Sequence, residues 1–197
     1  LIATTDANNN TTYYSYDDAD RLISTNDAAN NQTTYSYDSE SNLTSIIDGL
    51  NRTTSFTYDS LGRIAQATFP SALFETYGYD NVGNLISRTD RNGQTIDYEY
   101  DQLNRMTQKS YTSYAATYSY NSLNRLTQVS DATGTYQFIY DDLGRLNQTI
   151  TNYSFLPEKT FTVSYEYDAA SNRTSLTGPE NGITTYDYNR LNLITSR

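Results

Sequence analysis

Aromatic and polar residues alternate along this chain in short stretches, such as "YSYD" at Tyr14 and "YEYD" at Tyr98. Residues two positions apart share one face of a strand but not one face of a helix. The neighbouring positions are rich in Thr, Ile and Val, which favour strands. The alternation therefore predicts strands of about six residues and indicates no helix.

The alternating stretch is repeated along the whole chain. Each copy has a tyrosine followed by Asp or Asn, with another aromatic residue two positions earlier, and successive copies are 21, 21, 21, 21, 20, 20, 27 and 21 residues apart. Self-similarity at a fixed period is typical of repeat architectures. We therefore predict a single array of about nine repeats over residues 1–197, with anchor tyrosines Tyr16, Tyr37, Tyr58, Tyr79, Tyr100, Tyr120, Tyr140, Tyr167 and Tyr188.

A turn signal follows each anchor tyrosine. In the third repeat it reads Asp59-Ser-Leu-Gly62, and a similar signal, Asp48-Gly-Leu-Asn51, lies half a repeat away. Asp at the first position of a turn bonds its own backbone, and Gly or Asn at the fourth tolerates positive φ. Two turns in about 21 residues predict one β-hairpin per repeat, and consecutive hairpins predict an all-β, antiparallel meander.

Two further features belong to this hairpin. Six residues after the anchor tyrosine there is usually an aliphatic residue, such as Ile64, so we expect an aromatic and aliphatic face along the sheet. Arg63 lies four residues after Asp59, where a carboxylate–guanidinium contact across the turn is expected to contribute about 0–1 kcal/mol. Two irregular segments stand out: residues 147–165 predict a longer, protruding hairpin, and Phe69–Glu75 a turn that contains proline.

We predict that the tyrosines, the turn residues and the arginines of this motif build the hairpin. The alternative is an aromatic row that binds sugar rings or a non-native polypeptide. The predicted structural motif consists of Tyr14, Tyr16, Asp17, Tyr35, Tyr37, Asp38, Tyr58, Asp59, Gly62, Arg63, Tyr79, Asp80, Gly83, Tyr100, Asp101, Arg105, Tyr140, Asp141, Gly144, Arg145, Tyr167 and Asp168.

The amino-acid composition argues against most kinds of catalytic and metal-binding site. The chain has no His and no Cys, which excludes the common catalytic triads and zinc sites built on these ligands. Acidic pairs such as Asp17/Asp18 lie at predicted turns, and the "DDAD" stretch there lacks the Gly and terminal Glu of a calcium loop. We therefore predict no catalytic, cofactor or metal site and no enzymatic activity.

The net charge and the hydropathy argue against two classes of binding partner, nucleic acids and membranes. The net charge of −10 argues against nucleic acid, whose binding needs clustered Lys and Arg. No stretch approaches the ~20 apolar residues of a membrane span, so we expect no membrane insertion.

The motif resembles the YD (RHS) repeat, whose pattern is Tyr-Asp-x-x-Gly-Arg-Leu. Clear copies are "YDSLGRI" at Tyr58, "YDNVGNL" at Tyr79 and "YDDLGRL" at Tyr140, and "YDAASNRTSLTGPENG" at Tyr167 is similar. The family includes bacterial RHS toxins, wall-associated proteins, the cocoon subunits of Tc toxins and animal teneurins. The resemblance implies a long spiralling sheet that forms a hollow shell, and a bacterial protein that is secreted or exposed at the cell surface.

The resemblance leaves several assemblies open. It implies partners among neighbouring repeats or other copies of the chain, with an enclosed toxin domain or surface glycans as further candidates. Because the chain starts at Leu1 and stops within the pattern, we interpret it as a piece of a longer array. Nine hairpins are too few for a shell of the family's usual size, so the leading hypotheses are a shell segment and a self-assembling fibre. The alternative is a carbohydrate- or cell-wall-binding module.

Overall fold

The computed structural model of this protein describes residues 2–196, and in this range it consists of strands and turns without a helix. This confirms the all-β prediction. The described residues include no helix long and apolar enough to cross a membrane. The chain divides into two compact units, of which the first ends at Ile96 and the second begins at Asp97. The single nine-repeat array stays a prediction.

In the first unit each strand pairs antiparallel with the next strand of the chain, from β1 to β9. Consecutive pairing is the meander that tandem hairpins predict. The strands are β1 (Ala3–Thr5), β2 (Thr11–Tyr16), β3 (Leu22–Asn26), β4 (Gln32–Tyr37), β5 (Leu43–Ile47), β6 (Thr53–Tyr58), β7 (Ile64–Thr68), β8 (Phe74–Tyr79) and β9 (Leu85–Thr89).

The second unit is built in the same way from β10 to β18, and a separate antiparallel pair follows. Most of β10 belongs to this unit. The strands are β10 (Thr95–Tyr100), β11 (Met106–Ser110), β12 (Ala115–Tyr120), β13 (Leu126–Asp131), β14 (Gly134–Tyr140), β15 (Leu146–Tyr153), β16 (Thr160–Tyr167), β17 (Arg173–Thr177), β18 (Ile183–Thr185), β19 (Asp187–Tyr188) and β20 (Ile194–Ser196).

The turns have the backbone that the sequence predicts. In most of them the fourth residue donates its N–H to the carbonyl of the first, and the first donates to the carbonyl of the fifth. The fourth residue has positive φ, which only Gly, Asn and Asp adopt readily. These fourth residues are Asn9, Asp20, Asn30, Ser41, Asn51, Gly62, Ala72, Gly83, Gly93, Asn104, Asn124, Gly144, Ser171, Asn181 and Asn192.

The two irregular segments of the sequence form a long hairpin and a turn that contains proline. Strands β15 and β16 are each 8 residues long and pair as far as Asn152 and Thr160, which confirms the predicted longer hairpin. The proline-containing turn keeps the ordinary backbone, because Ala72 N–H donates to the carbonyl of Phe69 at 2.9 Å. Ala72 there has a φ of 62°, so a residue with a Cβ occupies a position that suits glycine.

The two faces of each sheet differ in chemistry. On one face Tyr35 lies opposite Ile46, and Phe56 lies opposite Ala67. The other face carries rows of small polar side chains, such as Ser36, Ser45 and Ser55. Paired residues on adjacent strands point to the same side. The first face is therefore the predicted aromatic and aliphatic one.

A β-bulge precedes every anchor tyrosine of the first unit, and the sequence analysis did not predict it. Ser15 pairs with Ser24, but Tyr16 pairs with Leu22, so Ile23 is an extra residue on the return strand. Such a bulge bends the strand and redirects the next side chain. This bulge places Tyr16 opposite Leu22, the aliphatic residue six positions later. The bulges lie at Ser15/Tyr16, Ser36/Tyr37, Thr57/Tyr58 and Gly78/Tyr79.

Neither unit has a conventional apolar core. Among residues 2–196, Ala67 and Tyr186 are the buried apolar side chains, and no large side chain is fully buried. Most strand residues are half-buried on either face. Hydrogen bonds and contacts along the sheet must therefore contribute much of the stability that a core supplies elsewhere.

Candidate functional site

Each turn after an anchor tyrosine is closed by the side chain of its first residue. At the third repeat, Oδ1 of Asp59 accepts hydrogen bonds from the backbone N–H groups of Leu61 (2.9 Å) and Arg63 (3.0 Å). Gly62 has a φ of 76°. A carboxylate with backbone donors on one oxygen still has its second oxygen available.

The second oxygen binds the arginine that follows the turn. Nε of Arg63 donates to Oδ2 of Asp59 at 2.7 Å. This side-chain bond, followed by the backbone bonds, holds the pKa of Asp59 below its usual value. The same 2.7 Å contact is made by Arg21 with Asp17, Arg105 with Asp101 and Arg145 with Asp141.

The guanidinium then reaches the next repeat. Cζ of Arg63 lies 4.5 Å from the centroid of the Tyr79 ring, and its Nη1 donates to the carbonyl of Asp80 at 2.9 Å. We call this pair of contacts the repeat link. In this repeat it joins residues 16 and 17 positions apart through a cation–π contact and a charged hydrogen bond.

The repeat link recurs along both units with nearly constant geometry. The ring distances are 4.8 Å for Arg21 over Tyr37, 4.8 Å for Arg105 over Tyr120 and 4.7 Å for Arg145 over Tyr167. The carbonyl distances are 3.1 Å for Arg21 to Asp38, 3.1 Å for Arg105 to Asn121 and 2.9 Å for Arg145 to Asp168.

The hydroxyl of the anchor tyrosine is also bonded. Tyr58 donates to the carbonyl of Leu43 at 2.7 Å, and Tyr140 donates to that of Leu126 at 2.8 Å. Each acceptor is the aliphatic residue that begins the neighbouring strand. The same bond is formed by Tyr37, Tyr120, Tyr167 and Tyr188. Where an arginine follows the preceding turn, as at Tyr140, the anchor tyrosine contacts that arginine through its ring and a backbone carbonyl through its hydroxyl.

The other predicted motif residues lie around these links. Gly83 and Gly144 occupy fourth turn positions with φ of 102° and 84°. The hydroxyl of Tyr14 bonds Oγ1 of Thr4 at 3.1 Å, whereas Tyr16 is 41% exposed. Tyr35 lies on the aromatic face opposite Ile46. The structure places the motif residues at successive turns, where a residue of one turn contacts the next. It does not gather them into one cleft.

Some repeats have Asn in the arginine position. Nδ2 of Asn42 donates to Oδ2 of Asp38 at 3.0 Å, and Nδ2 of Asn172 donates to Oδ2 of Asp168 at 2.9 Å. Asparagine therefore closes its own turn as arginine does. Its short side chain carries no charge, so it cannot form the cation–π contact of the repeat link.

One polar cluster was missed by the sequence analysis. Glu75 is a buried carboxylate that accepts hydrogen bonds from Arg88 Nη2 (2.9 Å) and the Tyr77 hydroxyl (2.8 Å), and Arg91 Nε lies 3.4 Å away. The bond from Arg88, and then that from Tyr77, lowers the pKa of Glu75. A glutamate at this position was a detectable signal, because the equivalent residue in the three earlier repeats is Thr12, Thr33 or Thr54.

The turn carboxylates are held in hydrogen bonds within their own turns. The acidic side chains at the turns accept backbone and arginine hydrogen bonds, as Asp17 does. Among residues 2–196 no group of three or more acidic side chains could hold a metal ion. The recurring chemistry is the connection of one turn to the next.

Comparisons with known proteins agree with this geometry. The Teneurin YD-shell family model matches residues 2–134, and the RHS Repeat model matches residues 120–153. A comparison with curated proteins finds no match.

Similar solved structures come from Tc toxins. The Tc holotoxin pore of Photorhabdus luminescens with a mutated TccC3 has a TM-score of 0.67 at 15% identity, over 93% of this chain and 12% of that chain. A TcdB2-TccC3 structure without the hypervariable C-terminal region has a TM-score of 0.69 at 16% identity, over 94% and 12%. At these identities the likeness concerns the fold, and this chain spans about an eighth of those chains.

The YD-shell model covers more than half of the 197 residues, and the matched repeats are β-hairpins. The chain therefore belongs to the Teneurin YD-shell family, whose members are structural β-repeat proteins of the shell type.

Proposed function

We propose that this chain is a non-enzymatic wall segment of a bacterial shell that is secreted or exposed at the cell surface. The observation that carries the proposal is the repeat link, as formed by Arg63 with Tyr79 and Asp80. Where it forms, it ties one hairpin to the next without any large buried core. A repeat that contacts only its neighbours can extend into a wall of any length.

The use of the polar groups supports a structural role. Asp and Tyr can serve enzymes as acids or bases, but at these turns they are bonded to arginine or to the backbone, as Asp17 and Tyr58 are. No His or Cys is present to supply other nucleophiles or bases. The absence of enzymatic activity is part of the proposal.

We further propose that the wall surrounds other polypeptide, such as a toxin domain. The support is the likeness in fold to TcdB2-TccC3 structures, one of which is described as lacking a hypervariable C-terminal region. This chain spans about an eighth of those structural neighbours, so it would form one segment of such a wall.

A self-assembling fibre is the second assembly that we consider, since tandem hairpins also extend without closing. Carbohydrate binding ranks lower, because the ring of an anchor tyrosine such as Tyr79 already has an arginine over one face. That face is therefore not available to stack on a sugar ring.

Electron microscopy of the purified native particle tests the proposal. A hollow particle with a continuous wall is expected. Long unbranched filaments would support the fibre instead, and compact solid particles would contradict both. Particles of a variant with Arg63, Arg105 and Arg145 changed to Ala should lose the continuous wall, whereas the Arg190→Ala variant, which changes an exposed turn residue, should keep it.

A further inference from the structure

The repeat link is missing where Asn42 takes the place of arginine. In the preceding repeat the guanidinium of Arg21 has three partners outside its own turn: the Tyr37 ring, the carbonyl of Asp38 and the hydroxyl of Ser41. The equivalent groups in the repeat after Asn42 are the Tyr58 ring, the carbonyl of Asp59 and Gly62. The guanidinium position there has no arginine of this chain to fill it.

The groups that would receive a guanidinium at this position are in place. The amide of Asn42 stays on Asp38 (3.0 Å). In the described chain the carbonyl of Asp59 accepts the turn bond from Gly62 (3.0 Å) and no side-chain donor. The hydroxyl of Tyr58 is fixed on the carbonyl of Leu43 (2.7 Å), which holds the ring in the orientation of the other anchor tyrosines.

A cavity occupies the space that the arginine leaves. Its volume is about 770 Å³, and its walls include Asp38, Glu40, Asn42, Phe56, Tyr58 and Gly62. Gly62 has no side chain there; a Cβ at this position would lie 3.6 Å from Oδ1 of Asn42. The cavity is thus lined by the ring of Tyr58 and by a glycine at the position where the preceding repeat has Ser41.

The charges around the cavity favour a cation. Asp38, Glu40 and Asp59 line it; the nearby positive groups are Arg21, which contacts the carbonyl of Asp38, and Arg63, which is paired with Asp59. In the described part of the chain the carboxylate of Glu40 has no ion-pair partner. Burial, and then the charge of Asp38, raises the pKa of Tyr58, so its ring stays neutral at physiological pH.

We propose that this cavity binds a guanidinium group supplied from outside the chain. Guanidinium is favoured over ammonium because it is planar, stacks on an aromatic ring and donates in its own plane to a carbonyl. The chain itself uses this group at the equivalent position of other repeats. The inference goes beyond the proposed structural role and does not depend on it.

Titration of the 197-residue chain with N-acetyl-arginine methylamide, followed by amide and tyrosine ring NMR signals, tests the proposal. A cation–π contact with a few hydrogen bonds predicts a Kd on the order of millimolar. The shifts should be confined to Tyr58, Gly62 and the residues near Asn42. The neutral citrulline analogue and the lysine analogue should bind at least about tenfold more weakly, a difference of about 1.4 kcal/mol.

Two variants make the test specific. The Asn42→Arg variant should fill the cavity with an arginine of the chain and abolish the shifts. The Asn8→Arg variant makes the same charge change in an exposed turn of the same unit and should bind normally. The Glu40→Gln variant alters an exposed side chain and should weaken binding several-fold without affecting the fold.

Methylguanidinium distinguishes the sources of the ligand. Equal affinity for methylguanidinium and the capped arginine would assign recognition to the head group of any guanidinium compound, whereas tighter binding of the capped arginine would assign it to an arginine of a polypeptide. No shifts with either compound, equal binding of the citrulline or lysine analogue, or unchanged binding by the Asn42→Arg variant would overturn the proposal.

Discussion

The guanidinium of Arg63 lies 4.5 Å above the Tyr79 ring and is bonded to the carbonyl of Asp80 at 2.9 Å. Its own turn holds it in place, because Nε is bonded to Asp59 at 2.7 Å. One side chain thereby closes its own turn and contacts the next. Turn formation and contact between neighbouring repeats are thus coupled through a single residue.

Arg125 lies 4.8 Å from the Tyr140 ring, but its own turn lacks the carboxylate acceptor that the arginines of the repeat links have, and this difference provides the first test. Asn121 takes the place of Asp, and its Oδ1 accepts the backbone N–H groups of Leu123 and Arg125. Nε of Arg125 is buried without a hydrogen-bond partner. The Asn121→Asp variant should supply the missing carboxylate oxygen and raise the free energy of unfolding by about 1 kcal/mol.

Urea unfolding followed by circular dichroism measures this change. Asn189→Asp is the matched control, since it makes the same charge change in a turn whose fifth residue, Leu193, has no side-chain donor. The control should stay within about 0.5 kcal/mol of the parent protein. Equal effects of the two variants would show that Arg125 gains nothing from the carboxylate.

The proline-containing turn contains a strained alanine. Ala72 has a φ of 62°, a conformation that costs a residue with a Cβ about 1–2 kcal/mol. The Ala72→Gly variant should raise the melting temperature, with a gain of about 0.5–1 kcal/mol after the extra chain entropy of glycine is subtracted. The Ala29→Gly variant changes a third turn position without positive φ and should lower stability. A loss in both variants would contradict the strain.

Acid should destabilise the protein through its turn carboxylates. The bonds from Arg63 and Arg105 lower the pKa of Asp59 and Asp101 in the folded state. A group whose pKa is lowered by folding contributes stability above its unfolded pKa, and this contribution is lost as the pH falls through the folded value. The urea midpoint should therefore be nearly constant from about pH 7 to 5 and fall below about pH 4.

A series of urea titrations between these pH values checks this expectation. The chain has no His, so histidine ionisation contributes no step near neutral pH. The Asp59→Asn variant should show a shallower acid transition than the parent. A midpoint that stays constant or rises below pH 4 would contradict the assigned role of the carboxylates.

Local chemistry made much of the fold predictable. The Asp59–Gly62 turn follows from two side-chain preferences, and the strand at Tyr58 follows from alternation. The β-bulge before Tyr16 could not be predicted in the same way, because it depends on the pairing of Ser15 with Ser24 on another strand. Turn chemistry alone does not specify that register.

In the candidate site, too, contacts between residues close in sequence were predictable, and contacts between distant residues were not. The contact of Arg63 with Asp59 spans four residues and was expected from the sequence. Its contacts with Tyr79 and Asp80 span 16 and 17 residues, and they become visible only once neighbouring hairpins lie side by side. Glu75 departs from the threonine of the earlier repeats, but its bonds to Arg88 and Arg91, 13 and 16 residues later, depend on the pairing of separate strands.

The most direct test of the account is a double-mutant cycle on the repeat link. Arg63→Met and Tyr79→Leu, alone and together, should give a coupling of about 0.5–1 kcal/mol in the free energy of unfolding. Arg52 and Tyr79 are the control pair. Nε of Arg52 is bonded to Asp48 at 2.7 Å, as that of Arg63 is to Asp59, but the arginine over the Tyr79 ring is Arg63. Additive effects for Arg52 and Tyr79 together with coupling for Arg63 and Tyr79 are the expected result, and additive effects for both pairs would contradict the claim that this arginine joins neighbouring repeats.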